Sequence, residues 1–199
     1  MPEKKYNVLF LCTGNSARSI LGEALTNKLG RERFYAYSAG SHPKGEVHPL
    51  ALEALRALNI PTQGLRSKGW EEFAQRGAPR MDFVFTVCDR AAAEPCPIWP
   101  GQPATAHWGI PDPAAVTGSI EQQRRAFLDT LHILDNRIRL LLALRIEGLD
   151  RLRLKHALDA IGYASPQEFE RHFNRITRAT PRASPRAKRG ETALRGEPR

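Results

Sequence analysis

Cys12 and Arg18 are separated by Thr13, Gly14, Asn15, Ser16 and Ala17, and Ser19 follows. A thiol and a guanidinium at this spacing can bind a tetrahedral oxyanion and attack it. The loop between them can turn successive backbone N–H groups inward, and a helix starting near Arg18 adds the partial positive charge of its N-terminus. Gly14 and Asn15 tolerate the left-handed backbone that such a nest requires. Arg18 offers a planar, two-pronged donor set. The same field is expected to depress the pKa of Cys12, making it a thiolate nucleophile, with Ser19 donating a hydrogen bond to the sulfur. The plainer reading is a buried structural Cys beside a surface Arg, and the local context argues against it.

That context is a strand and a helix. Tyr6 to Leu11 is a short apolar run of buried-strand type, and it ends at Cys12. Arg18 to Leu29 follows with Ile20, Leu21, Ala24, Leu25 and Leu29 at helical spacing, closed by Gly30. Further strands are expected at Phe34–Ser38, Asp82–Val87 and Thr105–Trp108. Pro49 suits the first position of a helix running to about Leu58, and a short helix is expected over Trp70–Gln75. Residues 89–104 read as an Ala- and Pro-rich loop. Ser119 and Gln122 have capping-box spacing, and a long helix follows with Phe127, Leu131, Leu134, Ile138, Leu141 and Leu142 on one face. The repetition predicts an α/β fold with an open, four-stranded parallel sheet flanked by helices. Ligands of such sheets bind beyond the carboxyl ends of the strands. Cys12, Cys88 and Asp112 each follow an expected strand, which places all three at one site.

The run VLFL followed by CTGNSARS resembles the phosphate-binding loop of the low-molecular-weight protein tyrosine phosphatase superfamily, which includes arsenate reductases on the same fold. The resemblance covers about residues 5–145. It implies that residues 13–19 (Thr13, Gly14, Asn15, Ser16, Ala17, Arg18, Ser19) bind the oxyanion, that Cys12 is the nucleophile, and that Asp112, in Asp112-Pro113, is the general acid. It also implies a polar network of Asn15, Glu23 and Ser38 that steadies the loop, with Lys68 supplying positive charge nearby.

Cys88 and Cys96 decide between the branches. A phosphatase needs one thiolate, whereas a reductase must supply electrons through thiols. Cys88 can attack the Cys12 sulfur of an arsenate adduct, and Cys96 can then take over the disulfide. Seven residues separate Cys88 from Cys96, one more than the thioredoxin-linked reductases are expected to carry, so glutathione is the other route. Ala114, Ala115 and Val116 follow Asp112-Pro113, where the tyrosine phosphatases typically place aromatics; Thr13 and Ala17 also depart from their pattern. The expectation is therefore an arsenate reductase without metal or organic cofactor, reduced by thioredoxin or by glutathione with glutaredoxin. The alternative is a phosphotyrosine phosphatase using Cys12, Arg18 and Asp112 alone. A non-catalytic oxyanion sensor is a third reading, from another class.

Composition bounds the rest. A hydrophobic share of 41% in 199 residues supports one core domain with an appendage. No run approaches the roughly 18 apolar residues of a membrane span, and the apolar stretch after Lys4-Lys5 is too short for a signal peptide. Three cysteines do not suggest a secreted disulfide scaffold, so a cytoplasmic location is expected. Cys88, Cys96, His107 and Trp108 match no zinc-ligand spacing. The expected boundaries are a catalytic domain over 1–148, a helical extension over 149–178, opening with a helix over Leu149–Ile161 that Gly162 ends, and a disordered tail over 179–199. Residues 171–199 carry nine Lys/Arg against two Glu, which accounts for most of the net charge of +9. Without interleaved aromatics this tail is not expected to bind nucleic acid, and no membrane partner is expected.

Overall fold

The structure is a computed structural model, and it describes residues 5–94 and 98–163. The central strand, β1 (Tyr6–Cys12), pairs in parallel with β2 (Phe34–Gly40) on one side and β3 (Phe83–Thr86) on the other. β4 (Ala104–His107) adds to β3, giving a parallel sheet of order β2-β1-β3-β4. The four-stranded open parallel sheet expected from the sequence is thus present. The chain leaves β1 toward one neighbour and later returns on the other side. The crevice at the carboxyl ends of β1 and β3 is therefore the switch point of the sheet.

Side chains along β1 alternate between the two faces. Val8 and Phe10 join the larger core with α1 (Arg18–Leu29), α2 (Pro49–Ala57), α5 (Ile120–Ala143) and α6 (Arg151–Tyr163). Leu9 and Leu11 join a smaller cluster with Phe73, Met81, Val84 and Trp99 on the opposite face. Phe73 comes from α3 (Glu71–Ala74), at the site of the expected short helix. The capping box of Ser119 and Gln122 starts α5 as expected, and Phe127, Leu131, Leu134, Ile138 and Leu141 line its buried face. His48 caps α2 through Nδ1, which accepts from the Leu50 amide.

Three local features differ from expectation. Within the expected loop after Cys88 lies a five-residue helix, α4 (Asp89–Ala93), capped by the Cys88 sulfur. The last strand stops at His107, one residue short of expectation; the Trp108 indole N–H donates to the Leu158 carbonyl in α6. α6 runs through Gly162 rather than ending before it. A Cβ on Gly162 would lie 2.2 Å from the His107 carbonyl oxygen, so this glycine serves close packing against the end of β4. The expected extension from residue 149 therefore begins with a helix whose Leu158 and Ile161 lie in the larger core. Its continuation beyond 163 and the basic tail lie outside the described residues. Among the described residues no helix is long and apolar enough to cross a membrane.

Candidate active site

β1 delivers Cys12 to the edge of the crevice, and α1 begins six residues later at Arg18. The loop between them is held by its carbonyl groups. Cys12, Thr13, Gly14 and Ser16 each give their C=O to an amide of the segment after β2, namely Ser41, His42, Lys44 and His48, at 3.3, 2.9, 2.9 and 2.8 Å. With the carbonyls taken on the outside, the loop amides are left for its centre. α1 has neither a side-chain N-cap nor an acidic residue in its first turn, so its first N–H groups also remain for an anion. Asn15 takes the left-handed conformation (φ 41°), while Gly14 does not need it. Gly40, where β2 ends, admits the loop: a Cβ there would lie 2.5 Å from the Thr13 carbonyl oxygen.

Beneath the loop runs a directional hydrogen-bond chain. The Lys68 amide donates to Asn15 Oδ1 at 2.7 Å, which fixes the orientation of that side-chain amide. Asn15 Nδ2 then donates to Ser19 Oγ and Ser38 Oγ, each at 2.9 Å. The two hydroxyls carry the chain onward: Ser19 Oγ is hydrogen-bonded to Cys12 Sγ at 2.9 Å, and Ser38 donates to the Glu23 carboxylate. Lys68 Nζ closes the chain, 3.3 Å from Glu23 Oε2 and buried. The network that the resemblance implied for Asn15, Glu23 and Ser38 is assembled here, and Lys68 belongs to it.

Cys12 is almost fully enclosed, and burial pushes its thiol above its ordinary pKa. The Ser19 hydroxyl, the Ser19 amide and the Asn15 amide at 3.2 Å oppose that rise, and the neighbouring Cys88 adds to it. This corrects the expected depression. Desolvation of the thiolate outweighs its hydrogen bonds in the free site. The Arg18 guanidinium is turned elsewhere: Nη2 is 3.1 Å from Asp112 Oδ2 and Nη1 donates to the Ile110 carbonyl at 3.0 Å. Asp112 also accepts from the Ala114 amide, which fixes the short turn over Pro113–Ala115.

Cys88 lies on the same cleft. Its sulfur accepts from the Ala91 amide at 3.4 Å and is 3.7 Å from Thr13 Oγ1. Both Cys12 and Cys88 are free thiols. The cleft, about 450 Å³, is lined by these two cysteines, the loop, Arg18 and Asp112, and among the described residues no Phe, Tyr or Trp lines it. Its rim also carries His42, Lys44, Asp89 and Arg90. Sequence reading missed these four. Their signal was position, since they follow β2 and β3 at the carboxyl edge of the sheet. Cys96 lies outside the described residues. Among the described residues no cluster of three or more His, Cys, Asp or Glu is arranged to hold a metal ion.

Comparison with known proteins agrees with this geometry. The family model for low molecular weight phosphotyrosine protein phosphatase matches residues 7–154. An arsenate reductase of Oceanobacillus iheyensis is 33% identical over 132 residues, covering 66% of this chain and 91% of that protein. A solved structure described as an arsenate reductase in the phosphate binding state superposes with a TM-score of 0.58 at 26% identity, covering 69% of this chain and 97% of its own. A low molecular weight phosphotyrosine phosphatase from Vibrio cholerae O395 has a TM-score of 0.56 at 20% identity, covering 72% and 99%. That last likeness bears on the fold alone.

Proposed function

The chain belongs to the low molecular weight phosphotyrosine protein phosphatase family, and from that premise we propose that it is an arsenate reductase. The observation that carries this reading is that two free thiols, Cys12 and Cys88, open onto one cleft. Hydrolysis of a phosphoenzyme uses one sulfur. Reduction of arsenate takes two electrons, which two thiols supply as they become a disulfide. The polar lining, with no Phe, Tyr or Trp among the described residues, also suits a small inorganic oxyanion better than a tyrosine side chain.

Arsenate sits on the loop amides of residues 13–18 and draws the Arg18 guanidinium from Asp112. Its arrival frees the Asp112 carboxylate to take a proton from the Cys12 thiol. The Cys12 sulfur attacks arsenic, an As–O bond breaks, and Asp112 returns the proton so that water leaves. Cys88 then attacks Cys12 Sγ. The S–S bond forms, the S–As bond breaks, its electron pair stays on arsenic, and the Cys88 proton goes to the departing arsenite. The net reaction is arsenate plus two thiols to arsenite, a disulfide and water. Cys96 is the shuttle that carries the disulfide outward, and the final donor is thioredoxin, or glutathione with glutaredoxin. The proposed reaction calls for no metal or organic cofactor, and a cytoplasmic location is proposed because a reducing compartment suits its thiols.

The reduced protein is to be mixed with arsenate without external thiol, counting free thiols while arsenite is assayed. About one arsenite per chain, with two thiols lost and Cys88→Ser blocking release, is the expected result. Arsenite that forms only on addition of glutathione removes Cys88 from the resolving role. No arsenite at all, with brisk hydrolysis of an aryl phosphate, makes the protein a phosphatase using Cys12, Arg18 and Asp112.

A further inference from the structure

His107 ends β4, and its imidazole is bonded on both sides. Nδ1 is 2.8 Å from Thr86 Oγ1 and Nε2 is 3.0 Å from Asp89 Oδ1. Thr86 and His107 are register partners across β3 and β4. Asp89 is the first residue of α4. One ring therefore ties together the residue two before Cys88 and the residue one after it. The carboxylate can only accept, so Nε2 carries a proton. Nδ1 pairs with the Thr86 hydroxyl, which can both donate and accept.

The pair also lies beside the segment that leads to Asp112, with the Asp89 carboxylate open to solvent. A Cβ on Gly109 would lie 2.7 Å from His107 Nε2 and 2.9 Å from Asp89 Oδ1, so the clasp packs directly on that backbone. Alongside it the Trp108 amide donates to the Thr86 carbonyl and the Ile110 amide to the Val87 carbonyl, at 2.7 and 3.2 Å. Ile110 in turn receives Arg18. The turn bearing Cys88 and the strand exit bearing Asp112 are thus held as one unit, and the imidazole is its side-chain pin.

We propose that His107 is a positioning residue for Cys88: its bonds to Thr86 and Asp89 hold the Val87-Cys88-Asp89 turn so that the second thiol faces the Cys12 sulfur. The inference rests on Cys88 serving as the resolving thiol. An attacking sulfur must lie in line with the bond it breaks, and a misplacement of about 1 Å can cost as much as a hundredfold in rate. Thr13 Oγ1 and the Ala91 amide touch the sulfur itself, while His107 fixes the backbone on either side of it.

The test follows Cys12–Cys88 disulfide formation by mass spectrometry after addition of diamide, which supplies the oxidant whether or not arsenate is reduced. Arsenite release in a single turnover is assayed in parallel. His107→Phe is expected to slow both about tenfold or more. Iodoacetamide alkylation of Cys12 and its protection by phosphate stay within about twofold of wild type, because neither uses Cys88. His107→Gln, whose amide reaches toward Asp89, recovers part of the rate. Asp89→Ala cuts an exposed carboxylate without touching the core, and slows the disulfide about threefold. Wild-type disulfide rates in His107→Phe or in Asp89→Ala overturn the proposal. So does loss of phosphate protection in His107→Phe, since the residue then serves the whole site rather than Cys88. The disulfide rate judges His107 and the wild-type arsenite yield judges the reductase reading, so the two fail separately.

Discussion

Lys68 Nζ lies 3.3 Å from Glu23 Oε2, and both side chains are nearly closed to solvent. The pair anchors the chain that runs through Ser38 and Asn15 to Ser19 and Cys12. Removing one partner of a buried pair leaves a bare charge, at a cost of about 3–5 kcal/mol. Lys68→Met is therefore expected to lower stability by that order in urea unfolding. The double variant Lys68→Met with Glu23→Gln is expected to recover most of it. A single variant within about 1 kcal/mol of wild type would show that the pair does not hold the loop.

Cys12 connects burial to pH. Its folded pKa is raised, first of all by desolvation, so the folded protein holds a proton that the unfolded chain has already released. The associated stability is complete below the unfolded thiol value, about 8.5, and is lost as pH rises through the folded one. Cys12→Ser is expected to flatten this alkaline loss relative to wild type. Ser19→Ala removes the hydroxyl that favours the thiolate. It moves the midpoint of Cys12 alkylation up by about one pH unit, measured with iodoacetamide.

Arg18 and Asp112 compete with the incoming anion for one another. Asp112→Asn releases the guanidinium, so phosphate protection of Cys12 is expected to hold or strengthen. The same variant loses the acid, and single-turnover arsenite release falls about 10²- to 10⁴-fold. Arg18→Lys keeps the charge but loses the planar fork, and anion protection weakens about tenfold or more. Equal arsenite release from Asp112→Asn and wild type would take the acid role from Asp112.

Gly40 and Gly45 make a controlled comparison. A methyl group at Gly40 meets the Thr13 carbonyl and Asn15, so Gly40→Ala is expected to abolish phosphate protection of Cys12 by displacing the loop. Gly45 has positive φ and open space around it. Gly45→Ala costs only backbone strain, about 1 kcal/mol in thermal unfolding, and leaves protection intact.

What was legible in the sequence is what local pattern encodes. The apolar run before Cys12, the helical spacing of Ile20, Leu21, Ala24 and Leu25, and the capping box at Ser119 each give the observed element. Cys12, Cys88 and Asp112 were legible as one site because strand ends in a parallel sheet converge. α4 was not legible, since five residues among alanines and prolines carry too little periodicity. The direction of the Cys12 shift was not legible either, because it depends on how completely the fold encloses the sulfur. The rim residues His42, Lys44 and Arg90 come from loops whose path is set by tertiary contacts. Lys68 was legible only through the family resemblance, because it is the Gly40 strand end that brings it to Asn15 and Glu23.

α6 poses the same problem at larger scale. Its sequence follows Gly148 like an appendage, yet Trp108 donates to the Leu158 carbonyl, and Arg137 donates to the carbonyls of Trp108, Gly109 and Gly162. Arg137 thus ties the exit of β4, which leads to Asp112, to the end of α6. Burial lowers the pKa of its guanidinium, and backbone carbonyls meet its donors there. Leu158 is fully buried, and Leu158→Ala is expected to destabilise by about 2–5 kcal/mol in urea unfolding. If α6 supports the site as well as the core, Arg137→Met also slows arsenite release while phosphate still protects Cys12. A loss of stability alone would confine α6 to packing.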